Sequence, residues 1–316
     1  MIEVFGTTKT GQPVHRLGLD NGTLRISLLT LGAGLHSVRL AGVPHDLTVG
    51  RDNLAPYEGK LFHLGTIMGP VANRMSNARA EIAGRRHQFD RNFLGAHTLH
   101  GGSAAVHAKL WEVTDHTKTS ATLCVKLPDG EGGFPGHRDI QASFALEDNA
   151  LTLTLTARTD APTILNLANH SYWNLGPEPT TRGHLLQVHA DRYLPAGDAN
   201  IPTGEIAPVA GTRFDYRQPR AIEAGDEGLL DNNLCLSDAR QPLRDVATLT
   251  GPTGVEMTMA TTEPGLQIFD GHILDYAGLA LEAQFWPDAP HNPAFPRIET
   301  HPGETWVQRT RWRFTG

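Results

Sequence analysis

Asn169-His170-Ser171-Tyr172-Trp173-Asn174 sets an imidazole, two amides, two hydroxyls and an indole side by side with no fixed charge. Aromatic faces cover C–H groups, amides and hydroxyls pair with hydroxyls, and a histidine moves protons near neutral pH. The segment is suited to a polyhydroxylated ligand. It equally fits a packed core holding a satisfied histidine. Three further segments have residue types of this kind. Gly69-Pro70-Val71-Ala72-Asn73-Arg74-Met75 offers an amide and a fork of donors after a turn, or simply a solvated surface Arg. His97-Thr98-Leu99-His100-Gly101-Gly102 ends in paired glycines, which permit positive φ and close backbone approach. Its histidines would otherwise face water. In Leu281-Glu282-Ala283-Gln284-Phe285-Trp286-Pro287-Asp288-Ala289, Glu282 lies inside an apolar run. Desolvation there raises a carboxyl's proton affinity toward that of a useful base; the plainer alternative is a Glu on an exposed strand face.

The elements that position these residues read as strands. Thr163–Leu167, just before the hexapeptide, resembles a half-buried strand. Leu151–Ala157 alternates strictly, and Ala121–Leu127 and Val255–Ala260 are similar. Near the C-terminus, Trp306, Gln308, Thr310, Trp312 and Phe314 share one face, with Val307, Arg309, Arg311 and Arg313 on the other. No amphipathic helix of three turns is predicted. The 33 glycines and 21 prolines separate short strands, as in an all-β sandwich or barrel. No repeat or linker divides the 316 residues, so residues 1–316 are expected to form a single domain. The proline-spaced stretch Pro287–Pro296 is loop-like.

Composition narrows the partners. The net charge of −7, without a basic run, argues against nucleic acid. No apolar stretch is long enough for a membrane span, and the N-terminus lacks signal-peptide character. Cys124 and Cys235 sit in apolar contexts and read as core residues, consistent with a cytoplasmic location. Among 16 histidines there is no H-x-H, H-E-x-x-H or C-x-x-C pair. His97, His100 and His107 come nearest to a metal cluster, and no metal is expected. Phosphate-loop, dinucleotide and Gly-x-Ser-x-Gly motifs are also missing.

Taken together and in order, these segments resemble the aldose 1-epimerase (galactose mutarotase) family along nearly the whole chain. The matches also include Asp129-Gly130-Glu131-Gly132-Gly133-Phe134-Pro135-Gly136, Ile201–Glu205, Asp231-Asn232-Asn233 and Thr262–Gln267. The resemblance implies a large antiparallel β-sandwich of the galactose mutarotase-like supersandwich type, with a small-molecule sugar in an open cleft. It implies interconversion of the α and β anomers of a free aldose without a cofactor, by a monomer or homodimer. By the same resemblance His170 is the general acid, Glu282 the general base and His100 a second histidine near the ring oxygen. Asn73, Arg74, Asp231 and Gln267 bind the sugar, and Ser171 and Tyr172 line the cleft. Two positions depart from the family pattern: Pro70 stands where an Arg is common, and Asn232 where a His is common.

The chemistry suits the residue types. Opening a hemiacetal takes a proton from the anomeric hydroxyl and gives one to the ring oxygen; reclosure reverses both. The expectation is an ionised Glu282 and a protonated His170 facing each other across the sugar, between about pH 4.3 and about pH 6.5. Asp231 nearby would extend that window upward by favouring imidazolium, and a histidine would set the upper limb. The alternatives are an enzyme for a pentose or phosphosugar, a non-catalytic carbohydrate-binding protein, and a glycoside hydrolase using Glu282 with Asp231 or Asp288.

Overall fold

The computed structural model describes residues 2–197, 199–222 and 229–316. Among them, three antiparallel sheets dominate, joined by short ribbons and single 3-10 turns. The largest has nine strands in the spatial order Glu112–His116, Ser120–Leu127, Arg138–Glu147, Ala150–Thr159, Trp306–Thr315, Glu256–Thr261, Arg244–Thr250, Leu185–Val188 and Arg220–Ala221. A six-stranded sheet packs on it, in the order Tyr172–Trp173, Leu279–Gln284, Gly265–Phe269, Asp231–Cys235, Arg192–Tyr193 and Ala207–Pro208. The third contains Ile2–Thr7, Pro13–Asp20, Leu24–Leu29 and Gly34–Leu40.

The alternating segments behave as the period of two demands. Ala150–Thr159 buries every second residue, and Trp306, Gln308, Thr310, Trp312 and Phe314 all turn inward from the C-terminal strand. Leu153, Leu155 and Met259 of the nine-stranded sheet meet Leu281 and Ala283 of the six-stranded one. Gln308, an amide in this apolar layer, donates from Nε2 to the Ala283 carbonyl at 2.8 Å and so ties the two sheets together.

This packing decides where the chemistry goes. Along Leu279–Gln284 all six residues are buried. Leu279, Leu281 and Ala283 belong to the main core, which leaves Ala280, Glu282 and Gln284 on the opposite face. Glu282 is therefore not on an exposed strand face. Thr163–Leu167 is fully buried rather than half-buried, and only Thr163–Ile164 forms a ladder, with Glu299–Thr300. The chain then switches partner: Ala168–Asn169 pairs with Ile67–Met68, and Tyr172–Trp173 with Leu279 and Ala280. Cys235 is buried and Cys124 half-buried, both as free thiols. Among the described residues no helix is long and apolar enough to cross a membrane.

Gly65 sits at the partner switch with φ +73°, and a Cβ there would lie 2.2 Å from the Leu35 carbonyl oxygen. Gly11 has a similar φ of +83° but open space around it. Gly11→Ala should cost about 1 kcal/mol, from backbone strain alone. Gly65→Ala should cost about 3 kcal/mol or more, because backbone must move as well. Equal shifts in urea midpoint for the two variants would show that close approach at Gly65 is unimportant.

Candidate active site

The face of the six-stranded sheet turned away from the core holds the candidate residues in two rows. The registers Tyr172 to Ala280, Ala280 to Phe269 and Phe269 to Asp231 define one row. Glu282, Gln267 and Asn233 define the next, two residues along. Extending the Tyr172–Ala280 register by two residues brings His170 opposite Glu282. His170 Nε2 lies 3.4 Å from Glu282 Oε1, with side-chain exposures of 6% and 3%. The expected sugar-sized gap between the two is not there; carboxyl and imidazole adjoin, and a ligand must lie over the pair. The same register turns Ser171 toward the core with Leu281, and its buried hydroxyl has no partner among the described residues.

Asp231 anchors the polar wall beside this pair. Arg74 donates to its Oδ2 at 2.9 Å, Gln267 to its Oδ1 at 2.6 Å, and Asn200 to its Oδ2 at 3.3 Å. Arg74 also stands over the Phe93 ring, 5.2 Å from its centroid. The arrangement orients the guanidinium by charge on one side and by a π face on the other.

Asn73 and His100 are joined twice. The Asn73 N–H donates to His100 Nδ1 at 3.1 Å, and the His100 N–H donates to the Asn73 carbonyl at 2.9 Å. Both residues have positive φ, 63° and 50°. Gly101 follows at φ +88°, where a Cβ would meet the Gly69 carbonyl oxygen and Pro70 Cδ at 2.6 Å. The paired glycines thus serve the close approach read from the sequence. Asn166 clamps this loop to the Glu282 strand: its carbonyl accepts from Ala72, and its side chain exchanges hydrogen bonds with the Phe285 backbone. Pro70 is buried in the same clamp, its carbonyl accepting from the Asn166 N–H. Asn232 points off the site face and donates to the Leu194 carbonyl. Asp288 accepts from the Ser76 N–H and contacts the His291 ring, so it is fixed structurally.

Several contributors carry no motif in the sequence. His63 packs against His170 with 4.7 Å between ring centroids, and Phe269 meets it edge-on at 6.2 Å. His107 lies 6.4 Å from His100 and 4.9 Å from Phe62. The hexapeptide's alternation gave His170 and Tyr172 a shared face, and their rings are 5.0 Å apart. Isolated residues such as His63 and Asn200 gave no such signal.

Burial sets the charge states. It drives the Glu282 carboxyl well above the usual range; Asp231 adds to the shift and Arg74 opposes it. It drives His170 well below the usual imidazole range, helped by His63, and lowers His100 likewise. His63 and His107 both fall to about 4, again chiefly by burial. Tyr172 is pushed upward. Burial thus disfavours the charged form of each partner, which runs against the expected carboxylate with imidazolium. Asp231 acts on Glu282 rather than stabilising an imidazolium. Buried atoms without a hydrogen-bond partner among the described residues gather here: Glu282 Oε2, His170 Nδ1, Tyr172 Oη and Arg74 Nε. Among the described residues no group of His, Cys, Asp and Glu is arranged to hold a metal ion.

Fold and site together define an isomerase of the large antiparallel β-sandwich class. The profile of the family described as Aldose 1-epimerase matches residues 15–313. The human galactose mutarotase is 30% identical over 338 residues, covering 99% of this chain and 97% of the relative. An aldose 1-epimerase from Escherichia coli K12 is 30% identical over 96% of each chain. Among solved structures, an aldose epimerase homologue from C. elegans superposes with a TM-score of 0.88 at 28% identity, over 95% of this chain and 98% of that one. A galactose 1-epimerase from Lactobacillus acidophilus gives 0.87 at 25% identity, over 100% and 98%. The chain belongs to the aldose 1-epimerase family.

The raised Glu282 value has a consequence for stability. A carboxyl whose folded-state proton affinity exceeds the unfolded one contributes stability below about pH 4.3 that is lost as pH rises through the folded value. Glu282→Gln removes that loss. The variant should match the wild type near pH 4 and melt about 2–4 °C higher at pH 8, equivalent to about 1 kcal/mol. A melting difference that is constant across this range would contradict the assigned shift.

Proposed function

We propose that this protein is an aldose 1-epimerase that interconverts the α and β anomers of a free aldose such as galactose or glucose, acting in the cytoplasm, with residues 1–316 as a single domain. The observation that supports this most directly is the 3.4 Å contact between His170 and Glu282. The anomeric oxygen and the ring oxygen of a pyranose are bonded to one carbon, closer together than a hydrogen-bond length. A carboxyl and an imidazole in contact can address both at once. Glu282 takes the proton from the anomeric hydroxyl while His170 gives one to the ring oxygen, and the C–O bond breaks. Rotation about the C1–C2 bond exposes the other carbonyl face. The ring oxygen then attacks C1, returning its proton to His170 as Glu282 restores one to the new anomeric hydroxyl. Proton number is unchanged over the cycle. Asn73, Arg74, Asp231 and Gln267 hold the hydroxyls, and His100 stands by the ring oxygen.

The pair works with one shared proton. Burial disfavours the charged form of each partner; the reactive form is the tautomer with that proton on His170. The rate profile then falls on the acid side when the pair gains a second proton and on the alkaline side when it loses the shared one. The alkaline limb thus reports a proton that belongs to the pair, not to a free histidine.

A phosphosugar would need an unmatched cation, whereas Arg74 is already paired with Asp231. Two-carboxylate glycoside hydrolysis is disfavoured because Asp231 is tied by three donors and Asp288 by Ser76 and His291. A purely binding protein has no use for a desolvated acid–base pair.

Polarimetry on freshly dissolved α-glucose, α-galactose, xylose and arabinose tests the proposal. Wild-type protein should accelerate mutarotation of at least one sugar. Glu282→Gln and His170→Asn should each reduce kcat by about 10²–10⁴-fold while leaving sugar affinity largely intact. The absence of acceleration for every sugar, or full activity in Glu282→Gln, would remove it.

A further inference from the structure

We propose that His63 is a positioning residue for His170, its imidazole acting as a wall that holds the His170 ring with Nε2 toward Glu282. The proposal rests on the reading of His170 as the proton carrier. A histidine that moves protons is commonly oriented by a hydrogen bond at its other nitrogen. Here that nitrogen, Nδ1, is buried with no hydrogen bond to another described residue, and the backbone group that meets the ring is its own. The second side-chain torsion of histidine is broad and roughly two-fold, so it does not choose the orientation by itself. A tilt of the ring plane about that torsion would carry Nε2 away from the carboxyl.

Packing must therefore do what no hydrogen bond from another residue does at Nδ1. Four rings surround His170: His63 at 4.7 Å, Tyr172 at 5.0 Å, His100 at 5.9 Å and Phe269 at 6.2 Å. Tyr172 and Phe269 come from the site sheet, and His100 has a nitrogen engaged by Asn73. His63, the nearest, comes from the turn before Ile67–Met68 and makes no side-chain hydrogen bond among the described residues. Its backbone is nonetheless fixed to the segment it supports. Gly65 N–H donates to the His170 carbonyl at 3.0 Å, and His170 N–H donates to the Thr66 carbonyl at 2.9 Å. Asn169 Nδ2 donates to the Gly65 carbonyl at 2.9 Å. The ring wall and the ring it touches therefore move as one piece. Burial lowers the proton affinity of His63 to about 4, and desolvation, together with the His63 ring at 4.7 Å, lowers that of His170.

His63→Ala and His63→Phe separate this role from others. Loss of the wall should lower kcat by about tenfold to a hundredfold with KM changed less than about twofold. Phe, which restores a ring without nitrogens, should recover kcat to within about threefold. ¹⁵N NMR of the His170 ring should give one sharp set of signals in the wild type and His63→Phe, and broadened or doubled signals in His63→Ala. If the alanine variant does not fold, His63→Leu fills the volume without a planar face and takes its place. Unchanged kcat without the wall, a rise in KM alone, or a Phe variant as impaired as Ala would each overturn the proposal. Should the wild type act on no sugar, the function above fails, while the NMR comparison still decides the role of His63.

Discussion

A carboxyl withdrawn almost completely from water is unfavourable by several kcal/mol unless it is neutralised or met by compensating groups. Glu282 is in that position, on a strand with no exposed residue and with an imidazole at 3.4 Å. The sheet determines both facts. Leu279, Leu281 and Ala283 lock one face of the strand into the core, so the carboxyl has nowhere to turn but toward His170 and the wall built on Asp231. Keeping both groups dry raises the proton affinity of one and lowers that of the other, which draws the two affinities together.

Much of the surrounding structure serves to hold that unfavourable arrangement still. Gln308 pins the Ala283 carbonyl from the opposing sheet, and Trp286 Nε1 donates to the Pro264 carbonyl, joining the end of the Glu282 strand to the approach of the Gln267 strand. Asn166 bridges the Asn73–Arg74 loop and Phe285. The Asp129–Gly136 segment, far from the chemistry, underlies the turn after His100: Gly132 approaches Ala104 so closely that a Cβ would lie 2.8 Å from the alanine's Cβ. Gly132, Gly133 and Gly136 are explained by close packing, and Gly130 by its φ of +78° in open space.

The long alternating strands were legible because their period is written in residue type, as at Ala150–Thr159 and Trp306–Thr315. Thr163–Leu167 was misread because a segment covered on both sides loses the polar half of the pattern, and its partner changes within a few residues. The residue types of the site were visible, but bringing Asp231, Gln267, Glu282 and His170 together depended on family resemblance, since they lie on four different strands or strand extensions. Charge states were not legible at all. They depend on burial and on neighbours such as His63 and His107, which come from other parts of the chain and carry no local signature.

The double link between Asn73 and His100 fixes more than a loop. A backbone N–H can only donate, so the His100 nitrogen facing it must offer a lone pair, and the proton of this neutral ring must reside on Nε2. His100 therefore presents a donor, never an acceptor, to whatever enters. An ether-type oxygen, which can only accept, is matched by it; a second bare N–H in that place is rejected. A main-chain amide thus writes one letter of the ligand's hydrogen-bonding alphabet before any ligand arrives.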